Sequence, residues 1–337
     1  MKKLLNTLYV TDEKAYLSLE GEAVVCSSEG KPPLKLPLAN LENICCFSYL
    51  GCSPALMGKC ADKGVGLAFF TPHGRFLARV TGAVKGNVYT RTKQIEVFKS
   101  SALSLIRDNV AAKLMNTGRL IDRTVRDHGD SADIAAISSL LKERARTVYD
   151  ETDIDIIRGI EGACAKKYFE SFRALIRNDR PIFDIYGRSK HPPLDAVNAT
   201  LSFLYSVLTN DFASALESAG LDCYIGFYHV QRPGRISLAC DMVEEVRCIA
   251  ERMVISMINL KMLDEKDFEK QPTGAVFLSD NGRKKVLAKL QEKKREKFVH
   301  PFLKQKIPYG LLPFVQSNLL AKFVRGEIEE YPPFVLR

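Results

Sequence analysis

The spacing of apolar residues changes once along this chain, and that change limits the folds open to it. In the first part, Leu17 and Leu19 alternate with Tyr16, Ser18 and Glu20, and Leu34, Leu36 and Leu38 alternate with Lys35 and Pro37. Residues 65–70 form a short apolar run, and Phe76, Ala78 and Val80 alternate again. Alternation marks half-buried strands, and a short unbroken apolar run marks a buried one. Glu29-Gly30-Lys31-Pro32-Pro33 and Thr71-Pro72-His73-Gly74 supply turns between them. Residues 41–63 are less regular, with Ser53-Pro54 suited to start a short helix over the sheet.

After Lys85-Gly86-Asn87 the apolar residues recur at three and four from about Thr92 onward. Helices are predicted near 93–127, 133–147, 152–176, 194–218, 236–264, 283–298 and 311–326, with starts at Asp195 and Ser237. Residues 178–193 and 264–282 read as loops, and 224–228 as extended. The expected architecture is α+β by segregation. A small N-terminal β-sandwich-like domain over 1–85 is joined by a linker at 86–92 to a larger all-α domain over 93–337.

With 337 residues, 46% hydrophobic, the chain can bury a sizeable core. Nine cysteines are scattered without a C-x-x-C pair, which excludes a zinc ribbon and points to a reducing, cytoplasmic setting. No stretch is apolar enough to span a membrane. Gly64-Val65-Gly66 lacks the third glycine of a dinucleotide loop, and Gly58-Lys59 lacks the flanking residues of a phosphate loop. No G-x-S-x-G elbow and no H-E-x-x-H helix is present.

Three features carry chemistry. In the first, His229 ends an apolar segment, an Arg232-Pro233-Gly234-Arg235 turn follows, and Asp241 and Glu244 lie three apart on the next helix. Two carboxylates on one helix face repel, and a divalent cation or simple solvation relieves that cost. In the second, Glu161 sits in a helical pattern between Gly159 and Gly162, each glycine costing about 1 kcal/mol relative to alanine. Close helix packing and approach of a DNA phosphate are the two readings. The third is charge. The chain carries +9, and residues 283–306 hold ten Lys or Arg against two Glu, a local excess of +8. Such a segment is either a solubilising surface or a phosphate contact.

Arg158-Gly159-Ile160-Glu161-Gly162, Pro192-Pro193-Leu194-Asp195-Ala196-Val197-Asn198-Ala199-Thr200-Leu201 with Tyr205 after it, Gly226-Phe227-Tyr228-His229, and Arg235-Ile236-Ser237-Leu238 through Asp241, Glu244 and Arg247 occur in that order. Together they resemble the motifs of the CRISPR-associated endonuclease/integrase family, most sharply over 155–250. Ala196, where proline is frequent, and Met242-Val243 depart from the pattern without touching a proposed ligand.

The resemblance implies a helical catalytic domain in which Glu161, His229 and Glu244 bind Mg²⁺ or Mn²⁺, with Asp241 as an accessory acid close to the metal. It implies a homodimer held in part by the β domains, and a small partner protein, the Cas-two component. Incoming spacer DNA would enter the CRISPR repeat by 3′-hydroxyl attack on a phosphodiester. Arg235 and Arg247 are candidates to hold phosphate or to pair with Glu244 or Glu245, and Tyr205, Lys284 and Lys285 are further candidate DNA contacts. Two rival readings are a metal-dependent repair nuclease that cuts without joining and a non-catalytic nucleic-acid scaffold.

Overall fold

The computed structural model describes residues 6–82, 88–128 and 132–336. The boundary at Lys85-Gly86-Asn87 therefore lies outside the described residues. Among the described residues, the N-terminal part has seven strands and one α-helix: β1 Thr7–Val10, β2 Tyr16–Glu20, β3 Ala23–Ser28, β4 Lys31–Pro37, β5 Asn43–Cys46, α1 Pro54–Lys63, β6 Gly66–Phe70 and β7 Phe76–Val80. One sheet is the antiparallel meander β2-β3-β4. The other has the order β1-β5-β6-β7, with β1, β5 and β6 parallel and β7 antiparallel. As expected, Ser53 caps α1, its hydroxyl accepting from the Leu56 amide at 3.3 Å, with Pro54 in the first turn. Leu17, Val24, Ile44, Leu56, Cys60 and Leu67 form a small closed core in this part.

The other face of the mixed sheet is apolar too. Phe47 stacks on Phe70 at 5.1 Å and on Phe203 of the helical part at 5.7 Å between ring centres. These rings join the main core, so burial against the helices continues what the sheet begins. The Thr71–Gly74 turn is pressed onto the same ring. Gly74 has φ +85°, and a Cβ there would meet Phe203 Cδ2 at 2.3 Å, so both conformation and space require glycine.

The helical part comprises α2 Val88–Ser100, α3 Ala102–His128, α4 Ala132–Thr147, α5 Ile154–Ser171, α6 Ala196–Ser218, α7 Ser237–Glu244, α8 Arg247–Asn259, α9 Asp280–Arg295 and α10 Leu312–Arg325. Helix α6 is the central post and packs on α7, α8, α10 and the Val276–Leu278 strand. Asp195 caps it, its carboxylate accepting from the Asn198 amide at 2.7 Å.

Four local expectations are corrected. The helix predicted over 93–127 is two helices that break at Ser101. Gln94 is buried and tied to the 222–225 loop through the Asp222 and Ile225 carbonyls and the Asp222 amide, which fixes α2 in its own direction. The helix predicted over 236–264 is α7 and α8, broken at Glu245-Val246. The start at Ser237 holds, since Ser237 is the first residue of α7, and its hydroxyl donates to the Val230 carbonyl. Residues 224–228 form turns instead of a strand. The all-α expectation also omits two short antiparallel ladders, β8 Phe268–Lys270 with β9 Val276–Leu278, and β10 Lys297–Val299 with β11 Lys306–Pro308.

The α7–α8 break has a cause in Glu245. It is fully buried, and its carboxylate accepts from Tyr331 Oη at 2.7 Å, Gln316 Nε2 at 2.9 Å and the Phe334 amide at 2.8 Å. Asn116 Nδ2 bridges the Glu245 and Phe334 carbonyls. Residues 331–334 are thus clamped onto the break. Burial pushes the Glu245 carboxyl up from 4.5 to about 7. The folded chain then holds a proton that the unfolded chain releases above pH 4.5, so stability from this group is full below 4.5 and falls as pH rises to 7. Between pH 5 and 8 the native chain is expected to lose about 2.5 kcal/mol that a Glu245→Gln variant does not lose. Denaturant unfolding of both proteins across that range measures the difference.

All nine cysteines are free. Among the described residues no helix is long and apolar enough to cross a membrane.

Candidate functional site

Helices α3, α5 and α7 bring one residue each to a common point. Lys113 of α3 donates from Nζ to Glu161 Oε1 of α5 and lies 2.7 Å from Glu244 Oε2 of α7. Glu244 Oε1 accepts from Arg247 at the start of α8 at 2.6 Å. Glu161 Oε2 accepts from Tyr228 Oη at 2.6 Å. The α7–α8 break contributes directly, because it places Glu244 and Arg247 on opposite sides of a turn and still lets them pair.

These groups are largely withdrawn from water, with side-chain exposures of 21% for Glu161, 7% for Glu244 and 14% for Lys113. Burial alone would raise both carboxyl pKa values. For Glu161 the Lys113 ammonium outweighs it, and for Glu244 Arg247 and Lys113 do, so both are held below the usual carboxylate range. Burial would lower Lys113, but Glu244 and Glu161 overcome it and the ammonium is raised. Both acids are therefore anions around one cation at neutral pH.

His229 sits in the loop between α6 and α7 and is oriented by Asp241. Its Nδ1 lies 2.6 Å from Asp241 Oδ1, which also accepts from the His229 amide at 2.8 Å. Asp241 Oδ2 accepts from the Phe227 and Tyr228 amides at 2.8 and 3.1 Å. Asp241 is wholly buried, and both its oxygens are engaged. Its place is thus behind His229, fixing the ring with Nδ1 turned inward and Nε2 left for a ligand. This geometry also explains Gly226. A Cβ there would meet Asp241 Oδ2 at 2.7 Å and the Ser237 backbone carbon at 2.9 Å.

The donor set fits a hard divalent cation. Two carboxylates from different helices converge on a single cation, and the imidazole beside them carries the carboxylate partner usual behind a metal-bound histidine. Among the described residues, however, no three His, Cys, Asp or Glu side chains are already gathered at metal-binding distance. The ammonium of Lys113 stands between the two acids, in the place a metal would take.

Around the acids lies a cationic rim. Arg247 lies over the Tyr205 ring at 4.3 Å, and Arg188 is 5.5 Å from the same ring. Tyr205 Oη donates to Glu251 Oε1 at 2.7 Å, so its hydroxyl is spent inside the fold. Lys190, which sequence reasoning passed over, is exposed near Arg247 and Arg188. Arg188 donates to Asn198 Oδ1 at 2.7 Å and Ser202 Oγ at 3.0 Å. No spacing signal marks Lys113, Arg188 or Lys190; they are ordinary basic residues in a helix and a loop, brought in by tertiary packing. Arg235 lies beside Cys240, whose thiol is pushed up by burial and eased down by this guanidinium.

The basic segment has a different character from the one its charge suggests. Lys284 pairs with Asp280 at 2.5 Å and Lys285 with the buried Asp267 at 2.6 Å. Lys289 and Lys293 pair with Glu292 and Glu296, and buried Lys294 pairs with Asp211 at 2.6 Å. Gln291 Nε2 donates to the Thr7 carbonyl, which ties α9 to the N-terminal sheet. Much of the local excess is answered by acids, some of them distant in sequence, and α9 serves as a strut between the two parts of the molecule.

The two glycines beside Glu161 are also clarified. A Cβ at Gly159 or Gly162 would meet nothing within 4 Å. Close packing within the chain is therefore not what keeps these positions bare. Gly162→Ala is expected to raise unfolding free energy by about 1 kcal/mol. If a DNA backbone approaches this face, the same change weakens duplex binding, so unfolding and binding curves for one variant separate the two effects.

The family described as CRISPR associated protein Cas1 matches residues 8–292. A CRISPR-associated endonuclease Cas1 of Chlorobaculum tepidum is 44% identical over 343 aligned positions, covering 100% of both chains. A casposase structure bound to integration product superposes with TM-score 0.83 at 19% identity, covering 96% of this chain and 92% of that one. A Cas1 protein from Thermotoga maritima superposes with TM-score 0.80 at 20% identity, covering 95% and 97%. A small strand-built N-terminal part followed by helices is thus the architecture of these neighbours, and this chain belongs to the CRISPR-associated Cas1 family.

Proposed function

We propose that this protein is a metal-dependent DNA endonuclease and integrase of CRISPR adaptation, acting at Glu161, Glu244 and His229. The observation that carries the site assignment is the convergence of Glu161 and Glu244 on one cation beside an imidazole held by Asp241. The activity rests on family membership and on a relative named as a CRISPR-associated endonuclease.

Glu161, Glu244 and His229 Nε2 would hold Mg²⁺ or Mn²⁺, which when bound lowers the pKa of an attacking hydroxyl and offsets charge developing on the phosphate. The rest of the work falls to the chain. Arg247 and Tyr228 fix the far oxygens of Glu244 and Glu161, so the acids present their remaining oxygens in one direction. Lys190, on the rim, is available to a phosphate; Arg188 and Arg247 add positive potential around it. In joining, the 3′-hydroxyl of incoming DNA gives up its proton to solvent as its oxygen forms a bond to a repeat phosphorus. The bond from that phosphorus to the target strand's 3′-oxygen breaks, and the departing oxygen takes a proton. With water as nucleophile the same site cuts.

We assign the protein to the cytoplasm, as a homodimer acting with a Cas2 partner on spacer duplex and CRISPR repeat. Related structures include a Cas6-RT-Cas1–Cas2 complex, superposed with TM-score 0.82 at 19% identity over 99% of this chain and 36% of that one. The ion pairing along α9 argues against a scaffold that works through that helix alone.

The test is strand transfer with Mn²⁺, a labelled duplex bearing 3′-hydroxyl ends, a repeat-bearing plasmid and the Cas2 partner. Joined product that disappears with 3′-deoxy ends is expected. Cutting without joining would favour the repair nuclease.

A further inference from the structure

We propose that Lys113 is a built-in counter-cation of the acidic site, competing with the divalent ion for Glu161 and Glu244. The inference rests on the metal reading above and adds a residue to it. Its basis is position. Lys113 Nζ contacts both acids, whereas Arg247 reaches only Glu244 Oε1 and Tyr228 only Glu161 Oε2. The oxygens left over, Glu161 Oε1 and Glu244 Oε2, are those on the ammonium.

Glu244 Oε2 is buried, and the Lys113 ammonium lies 2.7 Å from it. Two nearby buried carboxylates cannot both stay ionised without a cation between them. Lysine suits a replaceable cation. Its ammonium is a point charge on a flexible four-carbon stem, with none of the two-pronged geometry that would lock an arginine in place. The metal-free site thus stays folded and charged, and a divalent ion gains entry only by displacing the ammonium.

The experiment is a Mn²⁺ titration followed by electron paramagnetic resonance, with melting temperature recorded in metal-free buffer. Lys113→Met is expected to melt lower than wild type without metal and to bind Mn²⁺ about tenfold more tightly or better. Lys113→Arg, which keeps the charge but grips carboxylates with two prongs, is expected to melt near wild type without metal and to bind Mn²⁺ more weakly. Glu161→Gln is expected to weaken Mn²⁺ binding. Should Lys113→Met fail to fold, the wild-type protein supplies the readout. Reductive methylation mapped by mass spectrometry should label Lys113 more with Mg²⁺ than without.

If Mn²⁺ binds through Glu161 but Lys113→Met binds it no more tightly, the competition is wrong and the metal site stands. Equal labelling of Lys113 with and without Mg²⁺, in a protein that binds Mg²⁺ through Glu161, overturns the competition in the same way. If Glu161→Gln leaves Mn²⁺ binding unchanged, the metal reading and this inference fall together.

Discussion

Glu161→Gln and His229→Ala are each expected to reduce DNA joining on the order of a thousand-fold while leaving the fold in place. The magnitude follows from losing several kcal/mol of transition-state stabilisation when a metal ligand is removed. Both side chains are partly exposed, at 21% and 24%. Gln keeps the shape of Glu161 and still accepts from Tyr228. Removing the imidazole leaves Asp241 with three backbone amides as partners. Glu244→Gln is a poorer probe, because it leaves Lys113 and Arg247 with uncompensated buried charge and mixes folding with chemistry. Joining assays at matched protein concentration, with circular dichroism on each variant, check the prediction. Joining by Glu161→Gln at the wild-type rate would remove that residue from the site.

The second large effect belongs to Asp241. Its carboxylate organises the 227–229 loop by accepting from three consecutive amides and from the imidazole, at zero side-chain exposure. Asp241→Ala leaves these donors buried without partners, at a cost on the order of 4 kcal/mol. Asp241→Asn keeps the volume but turns an amide nitrogen toward at least one N–H group, and is expected to lose a large part of the same stability. Unlike Glu161→Gln, both changes should lower the midpoint of denaturant unfolding as well as joining. If Asp241→Ala unfolds at the wild-type midpoint and loses only metal affinity, Asp241 is a ligand and not the support behind one.

The sequence carried the architecture well wherever local chemistry decides it. Alternation at Leu17 and Leu19, the apolar run ending at Phe70, and the helix starts at Ser53-Pro54, Asp195 and Ser237 all appear as read. It failed where distant residues decide. Nothing near Glu245 announces a helix break, because Tyr331, Gln316 and Asn116 create the reason for it. Residues 224–228 look like a strand because they are apolar, yet Gln94 and Asp241 take the backbone groups that a sheet would have used.

The site divides in the same way. Glu161, His229, Asp241 and Glu244 were legible as motifs, and the structure places the acids around one cation with the imidazole next to them. Lys113 was not legible, since it lies 48 positions from Glu161 on a helix whose other residues are ordinary. The charge of residues 283–306 was legible, but its partners were not. Asp211 and Asp267 lie far from Lys294 and Lys285 in sequence and meet them only through folding.

The metal site is tested by the anomalous difference density of a crystal grown with Mn²⁺. One strong peak is expected in contact with Glu161, Glu244 and His229 Nε2, with the Lys113 ammonium moved away from the acids. A peak elsewhere in the chain, or none while Mn²⁺-dependent joining persists in the same preparation, would contradict it.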